Sequence, residues 1–156
     1  MVLSYDRRMA DIVDKATRSR MMAGIRGKNT KPEWLVRRGL HARGFRYLLH
    51  ARKLAGRPDL VFPRYHATVF VHGCFWHGHD CSYFRLPATR TEFWESKIAR
   101  NRSNDAKSRE SLLTAGWRVS VVWECALRGA GRDVDAVIDA LAGWIRATDA
   151  MLEIRG

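Results

Sequence analysis

Residues 56–71 read GRPDLVFPRYHATVFV and contain two strand-like runs joined by a turn. The two runs, 59–62 and 67–71, are rich in the β-branched and aromatic residues that are typical of strands. Pro58 has no amide hydrogen for a strand ladder and therefore marks where the first strand begins. The turn-like residues 63–66 separate the two runs, so the stretch predicts a β-hairpin.

Helical and strand patterns alternate on both sides of this hairpin. Thr30 and Glu33 form a capping-box pair, in which each side chain can bond a backbone N–H at the start of a helix. Gly44 and Gly116 are placed to end helices in the left-handed conformation. The other predicted elements are a helix at 31–43, a strand at 45–49, a helix at 91–115 with a candidate break at 102–104, a strand at 117–123 and a helix at 132–147.

The predicted order of elements is helix, three strands, helix, strand, helix. This order is typical of an α/β fold with one central mixed β-sheet and helices on both of its faces. A chain of 156 residues, 46% of them hydrophobic, suits one compact domain. We therefore expect a flexible N-terminal segment at 1–13, a single domain at 14–147 and a short C-terminal tail at 148–156.

The charge balance of the chain indicates a polyanionic partner. Its 28 Lys and Arg residues against 16 Asp and Glu residues leave a formal net charge of +12. The basic residues are interleaved with aromatic ones and form no amphipathic apolar face, which favours nucleic acid over a membrane surface. A merely solvated basic face is the alternative.

The sequence also carries an expectation about location. Because no apolar run reaches about 18 residues and charged residues at 6–8 interrupt any secretory signal, a cytoplasmic protein is expected.

Residues 74–81, CFWHGHDC, concentrate metal-binding side chains, and the remaining cysteine of the chain is Cys125. Together, Cys74, His79, Cys81 and Cys125 would make a closed site of three thiolates and one imidazole. Such a site has no open position for water and is typical of structural zinc. An ordinary buried thiol at Cys125 is the alternative.

Asp59 opens an apolar strand, and the returning strand of the hairpin lies beside it. A carboxylate in this place can hold Mg2+ against a phosphate, where the ion stabilises developing charge and activates water. Nucleases of the restriction-endonuclease-like fold often follow Pro-Asp with an acidic-x-Lys triplet, but residues 69–73, VFVHG, contain no carboxylate and no lysine. The metal would then need a backbone carbonyl, and His72 or His77 would have to act as the base. The alternatives are an ordinary turn aspartate and two packed structural histidines.

Several motifs together resemble one protein family, the very-short-patch-repair mismatch endonucleases. The resemblance extends over about residues 14–145. The matching motifs are DKATRS at 14–19, GRPD at 56–59, HGCFWH at 72–77, PATRTEFW at 87–94, GWRV at 116–119 and VWECALRG at 122–129. The resemblance implies a restriction-endonuclease-like fold and Mg2+-dependent nicking of DNA on the 5′ side of a thymine, in T:G mispairs left by deamination of 5-methylcytosine.

The resemblance also implies roles for individual residues. Asp59 and the main-chain carbonyl of Val71 would bind Mg2+, and His77 would be the general base. His72 would assist near the phosphate. Glu33 would lie near the metal–water network, or would serve only as the helix cap. The family's zinc ligands match Cys74, His79, Cys81 and Cys125.

Three aromatic residues match the wedge that the family inserts into the base stack from the major groove beside the mismatch. They are Phe75, Trp76 and Trp94. Separating one base step costs a few kcal/mol, and stacking on aromatic faces returns about 1 to 3 kcal/mol per base. The family's N-terminal arm crosses the opposite groove. The matching arm residues are Arg18, Arg20 and Met22.

The resulting hypothesis is a sequence-context-dependent mismatch endonuclease that initiates very short patch repair, with catalytic Mg2+ and structural Zn2+. Its expected partner is double-stranded DNA with a T:G mismatch, and other mismatch-repair proteins are candidates. A monomer is expected because no dimerisation stripe stands out. Two alternatives remain: a zinc-stapled mismatch-binding protein without catalysis, and a related nuclease that acts on a methylated site or a branched junction.

Overall fold

The computed structural model of the protein describes residues 14–23 and 28–156, without the side chains of Arg18 and of residues 21–23. The chain divides into two units, Met1–Thr30 and Lys31–Gly156. In the first unit, Asp14 precedes helix α1 (Lys15–Ala23) and accepts a hydrogen bond of 2.7 Å from the backbone N–H of Thr17, as an N-cap residue does. The segment expected to be flexible, 1–13, lies outside the described residues.

The second unit alternates strands and helices, largely as predicted. Its elements are α2 (Lys31–Ala42), β1 (Leu48–Leu49), β2 (Leu60–Phe62), a 3-10 turn (Pro63–Tyr65), β3 (Ala67–His72), α3 (Thr91–Thr114), β4 (Arg118–Trp123), α4 (Glu124–Leu127), α5 (Val134–Arg146) and β5 (Met151–Ile154). The candidate break at 102–104 is wrong, because α3 runs through it without interruption. These residues are exposed on the helix surface, where polar side chains cost only tenths of a kcal/mol each.

The five strands form one mixed sheet in the order β1-β2-β3-β4-β5. Strands β2 and β3 are the predicted antiparallel hairpin, and β4 lies parallel to β3 on its other side. The parallel register sets His72 beside Trp123 at the ends of β3 and β4. A parallel neighbour requires a crossover connection, which α3 supplies, so the end of β3 and the loop after it lie against this helix.

Helices cover both faces of the sheet, as predicted, so the mixed α/β fold class is confirmed. Val69 and Val71 of β3 pack in one core with residues of α2 and α5. Phe70 points the other way and packs with Leu112 of α3, because successive strand residues face opposite sides. His72 follows the same alternation and therefore faces α3.

Two parts of the sheet differ from expectation. The predicted strand at 45–49 is paired only at Leu48 and Leu49, while Phe45 is buried in the core. The expected tail, 148–156, contains β5, which pairs in parallel with β4. Four residues carry little local strand signal, and β5 owes its order to the backbone partners that the edge of β4 provides. No helix in the described parts of the chain is long and apolar enough to cross a membrane.

Candidate active site and metal centre

Asp59 lies directly before β2, where the hairpin brings it beside the end of β3. Its Oδ2 atom accepts a hydrogen bond of 2.7 Å from the backbone N–H of Val71. The structure therefore brings the Asp59 carboxylate to the main chain of Val71, whose carbonyl is the other group expected to bind Mg2+. The geometry is local, because the antiparallel register Leu60↔Val69 sets Asp59 against the end of β3.

The surroundings of Asp59 disfavour an uncompensated negative charge. Burial raises the pKa of Asp59 to about 7, against a smaller lowering by the N–H of Val71. The nearby carboxylate of Glu33 raises it further. Glu33 is itself buried and forms an ion pair of 2.8 Å with Arg37. A cation beside Asp59 would restore the ionised carboxylate, so this position suits a metal ion.

His72 and His77 form a stacked pair at the end of β3. Their ring centroids are 3.7 Å apart and their planes differ by 2°. Burial lowers the pKa of His72 to about 3, with a smaller contribution from the neighbouring His77. His72 is therefore neutral at physiological pH.

Asp105 of α3 orients His77, and sequence reasoning missed it. Its Oδ2 atom lies 2.5 Å from Nδ1 of His77, so the carboxylate accepts the Nδ1–H and leaves Nε2 as the proton acceptor. Asn101, one turn earlier, donates a hydrogen bond of 2.8 Å to the carbonyl of Trp76, and Arg109, one turn later, acts electrostatically on His72. The available signal was the i, i+4 spacing of these three polar side chains, which puts them on one helix face.

The group of His72, His77 and Asp105 is also close enough to be considered as a metal site, with donor atoms within 4.8 Å of one another. The stacking argues against direct chelation of one ion by both rings. The lone pair of a ring nitrogen lies in the ring plane, and two parallel planes cannot share one ion. This arrangement suits proton transfer better than metal binding.

The four predicted ligands of the second metal meet in one cluster. The donor atoms of Cys74, His79, Cys81 and Cys125 all lie within 4.8 Å of one another. Nδ1 of His79 is 3.6 Å from Sγ of Cys74 and 3.4 Å from Sγ of Cys125. Burial, with smaller contributions from neighbouring thiols, raises the pKa of Cys74, so ionised thiolates here require a cation.

Backbone and side-chain contacts hold this cluster together. The carboxylate of Glu124, at the start of α4, accepts a hydrogen bond of 3.2 Å from the N–H of Cys74. The N–H of Gly156, beyond β5, donates to Sγ of Cys125 at 3.3 Å. The cluster thus joins the loop after β3, the start of α4 and the chain after β5.

The three predicted wedge aromatics also lie together, in the loop after β3 and the first turn of α3. The ring of Phe75 is 5.2 Å from that of Trp76 and 5.4 Å from that of Trp94. Nζ of Lys97 lies 5.4 Å from the Trp76 ring and 5.6 Å from the Trp94 ring. These aromatic faces beside a cation can bind stacked bases next to a phosphate backbone.

The predicted arm residues all fall within α1. Arg20 is exposed, and its guanidinium donates a hydrogen bond of 3.1 Å to Oγ1 of Thr17. The side chains of Arg18 and Met22 lie outside the described part of the chain. The contribution of these three residues to DNA binding stays a prediction.

Sequence comparisons identify relatives of this chain. Residues 10–83 match the family model described as DNA mismatch endonuclease Vsr. The chain is 44% identical over 147 residues to the DNA mismatch endonuclease Vsr of Escherichia coli, covering 94% of each chain. It is 46% identical over 123 residues to the type II nicking enzyme V.XorIIP of Xanthomonas oryzae pv. oryzae, covering 79% of this chain and 90% of the relative. A type II nicking enzyme of Neisseria meningitidis, V.NmeAIP, is 44% identical over 120 residues, covering 77% of this chain and 86% of the relative.

Proposed function

The chain belongs to the DNA mismatch endonuclease Vsr family, and from this premise we propose that it nicks DNA 5′ of the thymine in a T:G mispair within a particular flanking sequence. The product would start very short patch repair of deaminated 5-methylcytosine. One arrangement carries the proposal. His77 is hydrogen-bonded to Asp105 and stacked on His72 just after β3. Near the same end of β3, the backbone N–H of Val71 donates a hydrogen bond to Asp59. Candidate contacts with other mismatch-repair proteins, a monomeric state and a cytoplasmic location stay predictions.

The residues around Asp59 fit a Mg2+ site. Oδ2 of Asp59 is held by the N–H of Val71, and the other carboxylate oxygen and the Val71 carbonyl are the hard oxygen donors that Mg2+ prefers. Mg2+ bound there would neutralise charge on the scissile phosphate and favour ionisation of water. Glu33, which is paired with Arg37, is close enough to Asp59 to raise its pKa, and this supports a place beside the metal–water network.

His77 is the proposed general base. Asp105 holds the Nδ1–H, so Nε2 can take a proton from the attacking water as its oxygen bonds to phosphorus. The bond from phosphorus to the 3′ oxygen then breaks, and that oxygen takes up a proton, which leaves a 5′-phosphate at the nick. The buried His72 stays neutral, packs against the base and keeps a second positive charge away from it.

Replacing Asp105 by asparagine should lower the rate of nicking about 100- to 10,000-fold, because the amide can no longer select the productive tautomer of His77. Single-turnover nicking of a T:G duplex measures the effect, and melting curves check that the fold is retained. Glu110→Gln, an exposed change on the same helix, is the matched control. A rate for Asp105→Asn within twofold of the parent rate would contradict the proposal that Asp105 orients His77 as the general base.

The cysteine–histidine cluster is proposed to bind structural Zn2+. Tetrahedral Zn2+, with Zn–S near 2.3 Å and Zn–N near 2.0 to 2.1 Å, puts sulfur and nitrogen ligands about 3.6 Å apart. The distances from Nδ1 of His79 to the Sγ atoms of Cys74 and Cys125, 3.6 and 3.4 Å, support this assignment. All four positions would be taken by protein, which suits a structural rather than a catalytic ion.

The test of the proposed function is Mg2+-dependent nicking of end-labelled duplexes that carry T:G or T:A in varied flanking sequences, with methylated and branched duplexes alongside. We expect strand-specific cuts 5′ of the mismatched thymine.

Trp94→Ala should reduce the preference for T:G over T:A about tenfold or more, because loss of one stacking face is worth about 1 to 3 kcal/mol. Trp34→Ala, at an exposed tryptophan of α2, is the control and should leave the preference unchanged.

Two outcomes of this panel would contradict the proposal. Tight binding of the T:G duplex without cuts would indicate the non-catalytic, zinc-stapled binding protein. Preferred cutting of methylated or branched duplexes would indicate a related nuclease with another target. In every case binding should weaken steeply with salt, because each neutralised phosphate contributes about 0.9 to the log–log slope.

A further inference from the structure

Trp123, the last residue of β4, lies between the metal-binding cluster and the histidine pair. Its ring stacks on the imidazole of His79, with centroids 4.0 Å apart and planes 6° apart. Its edge-to-face contacts on the catalytic side are with His72, at 5.2 Å and 72°, and with His77, at 6.3 Å and 74°. One indole therefore touches a proposed zinc ligand and both histidines of the proposed active site.

A residue of β5 is the hydrogen-bond partner of this indole. Nε1 of Trp123 donates a hydrogen bond of 2.6 Å to Oε1 of Glu153. Glu153 lies within β5, where it is paired with Val121 of β4. The indole also packs against the apolar cluster of Phe70 and Val121 beneath it. With its ring plane held by stacking and its N–H held by a carboxylate, the indole has little freedom to rotate.

We propose that Trp123 is a positioning residue, which relays the placement of the cysteine–histidine cluster to His72 and His77, and that Glu153 sets its orientation. The proposal rests on the proposed function, in which His77 takes the proton of the attacking water. In this proposal the structural metal has a second role besides stability, because its ligand His79 also determines the position of the general base, His77.

The physical basis is contact between rigid planar groups. Two rings stacked at 4.0 Å are in van der Waals contact, so a displacement of His79 must displace the indole or open a gap in a closely packed interior. The indole contacts His72 edge to face, and His72 stacks face to face on His77. A misplacement of about 1 Å at a reacting group can cost on the order of 100-fold in rate, so small shifts along this series of rings are expected to matter.

Substitutions at Glu153 test the proposal without touching the catalytic or metal-binding residues. In the zinc-loaded protein, Glu153→Leu removes the acceptor of the indole N–H and should lower kcat about tenfold with little change in KM. Glu153→Gln keeps an oxygen acceptor and should retain the parent kcat. Equal kcat values in all three proteins at full zinc content would overturn the proposal, as would a loss in the glutamine variant equal to that in the leucine variant.

A spectroscopic experiment tests the relay without DNA. Exchange of Zn2+ for the larger Cd2+ in the otherwise intact protein should shift the ring carbon and proton NMR signals of His72 and His77. In Trp123→Leu these shifts should fall by at least half, and Glu153→Leu supplies the same comparison if the first variant does not fold. Unmoved His72 and His77 signals in the parent protein, or equal shifts in parent and variants, would overturn the proposal. Because this readout needs no cleavage, a failure of T:G nicking remains distinguishable from a failure of the relay.

Discussion

Asp59→Asn is expected to abolish Mg2+-dependent nicking and, at the same time, to stabilise the metal-free protein. Asparagine keeps an oxygen that can accept the hydrogen bond from the N–H of Val71, but it removes the negative charge that would bind Mg2+. Metal stabilisation of the transition state is worth several kcal/mol, so a loss of about 1,000-fold or more in rate is expected. Single-turnover nicking of a T:G duplex over a range of Mg2+ concentrations measures it.

The gain in stability follows from the raised pKa of Asp59. Its folded-state pKa of about 7 lies above its ordinary value of 3.8, so the folded protein holds this proton more tightly than the unfolded chain does. The ionised Asp59 therefore lowers the free energy of unfolding. This loss is absent below about pH 4, where the carboxyl is protonated in both states, and complete above about pH 7. Each unit of difference between the two pKa values is worth about 1.4 kcal/mol, so removing the charge should raise the free energy of unfolding at pH 8 by up to about 4 kcal/mol. The corresponding rise in Tm is about 10 °C.

Thermal unfolding of the metal-free proteins at pH 8 and pH 5 checks this sign, because the gain should shrink at the lower pH. Asp149→Asn, at an exposed aspartate, is the matched control and should change neither nicking nor the pH dependence. If Asp59→Asn nicked at the parent rate, Mg2+ would have to bind elsewhere. If Asp59→Asn were less stable than the parent protein at pH 8, the carboxylate would be ionised at no cost in the fold.

Loss of one ligand of the proposed zinc site is expected to have the largest effect on stability. Structural Zn2+ contributes about 10 to 16 kcal/mol to the folding of small zinc-binding peptides, whereas a whole domain is stable by only about 5 to 15 kcal/mol. The cluster joins segments far apart in the chain, and Cys74, His79 and Cys125 are buried. Cys125→Ala and His79→Ala should therefore lose zinc and unfold at a temperature lower by about 10 °C or more, or fail to fold.

Zinc content by elemental analysis and unfolding by circular dichroism measure this effect. His41→Ala replaces an exposed histidine of α2 and should keep the zinc content and the Tm of the parent protein. EDTA treatment of the parent protein should reproduce the effect of the ligand variants. The zinc assignment would be contradicted if the protein held no zinc after purification under metal-replete conditions and its Tm did not change with EDTA.

The parts of the site that could be predicted were those whose residues are close in sequence. The hairpin register follows from two apolar runs and one turn, and it brings Asp59 to Val71. His72 and His77 are separated by one short loop. The grouping of Cys74, His79, Cys81 and Cys125 could be anticipated although Cys125 is distant, because the chain contains three cysteines and a tetrahedral site uses four ligands.

The parts that could not be predicted depend on contacts between distant segments. Asp105 lies 28 residues after His77, on a long helix whose polar residues look alike in sequence. Strand β5 has four residues and no turn signal of its own, so it was expected to be part of a tail. Trp123 could be assigned to a strand, but which rings it would touch depends on the register of β3 with β4 and on the loop after β3.

Local periodicity, turn residues and composition predicted the alternation of helices and strands, the net positive charge, the hairpin and the cysteine–histidine grouping, and the resemblance added the roles of single residues. The folded chain was needed to find which helix residue orients His77, that β5 completes the sheet, and that one indole lies between the metal-binding cluster and the histidine pair. Side-chain contacts across a sheet, or between a helix and a loop, depend on register and packing, and these leave no local pattern in the chain.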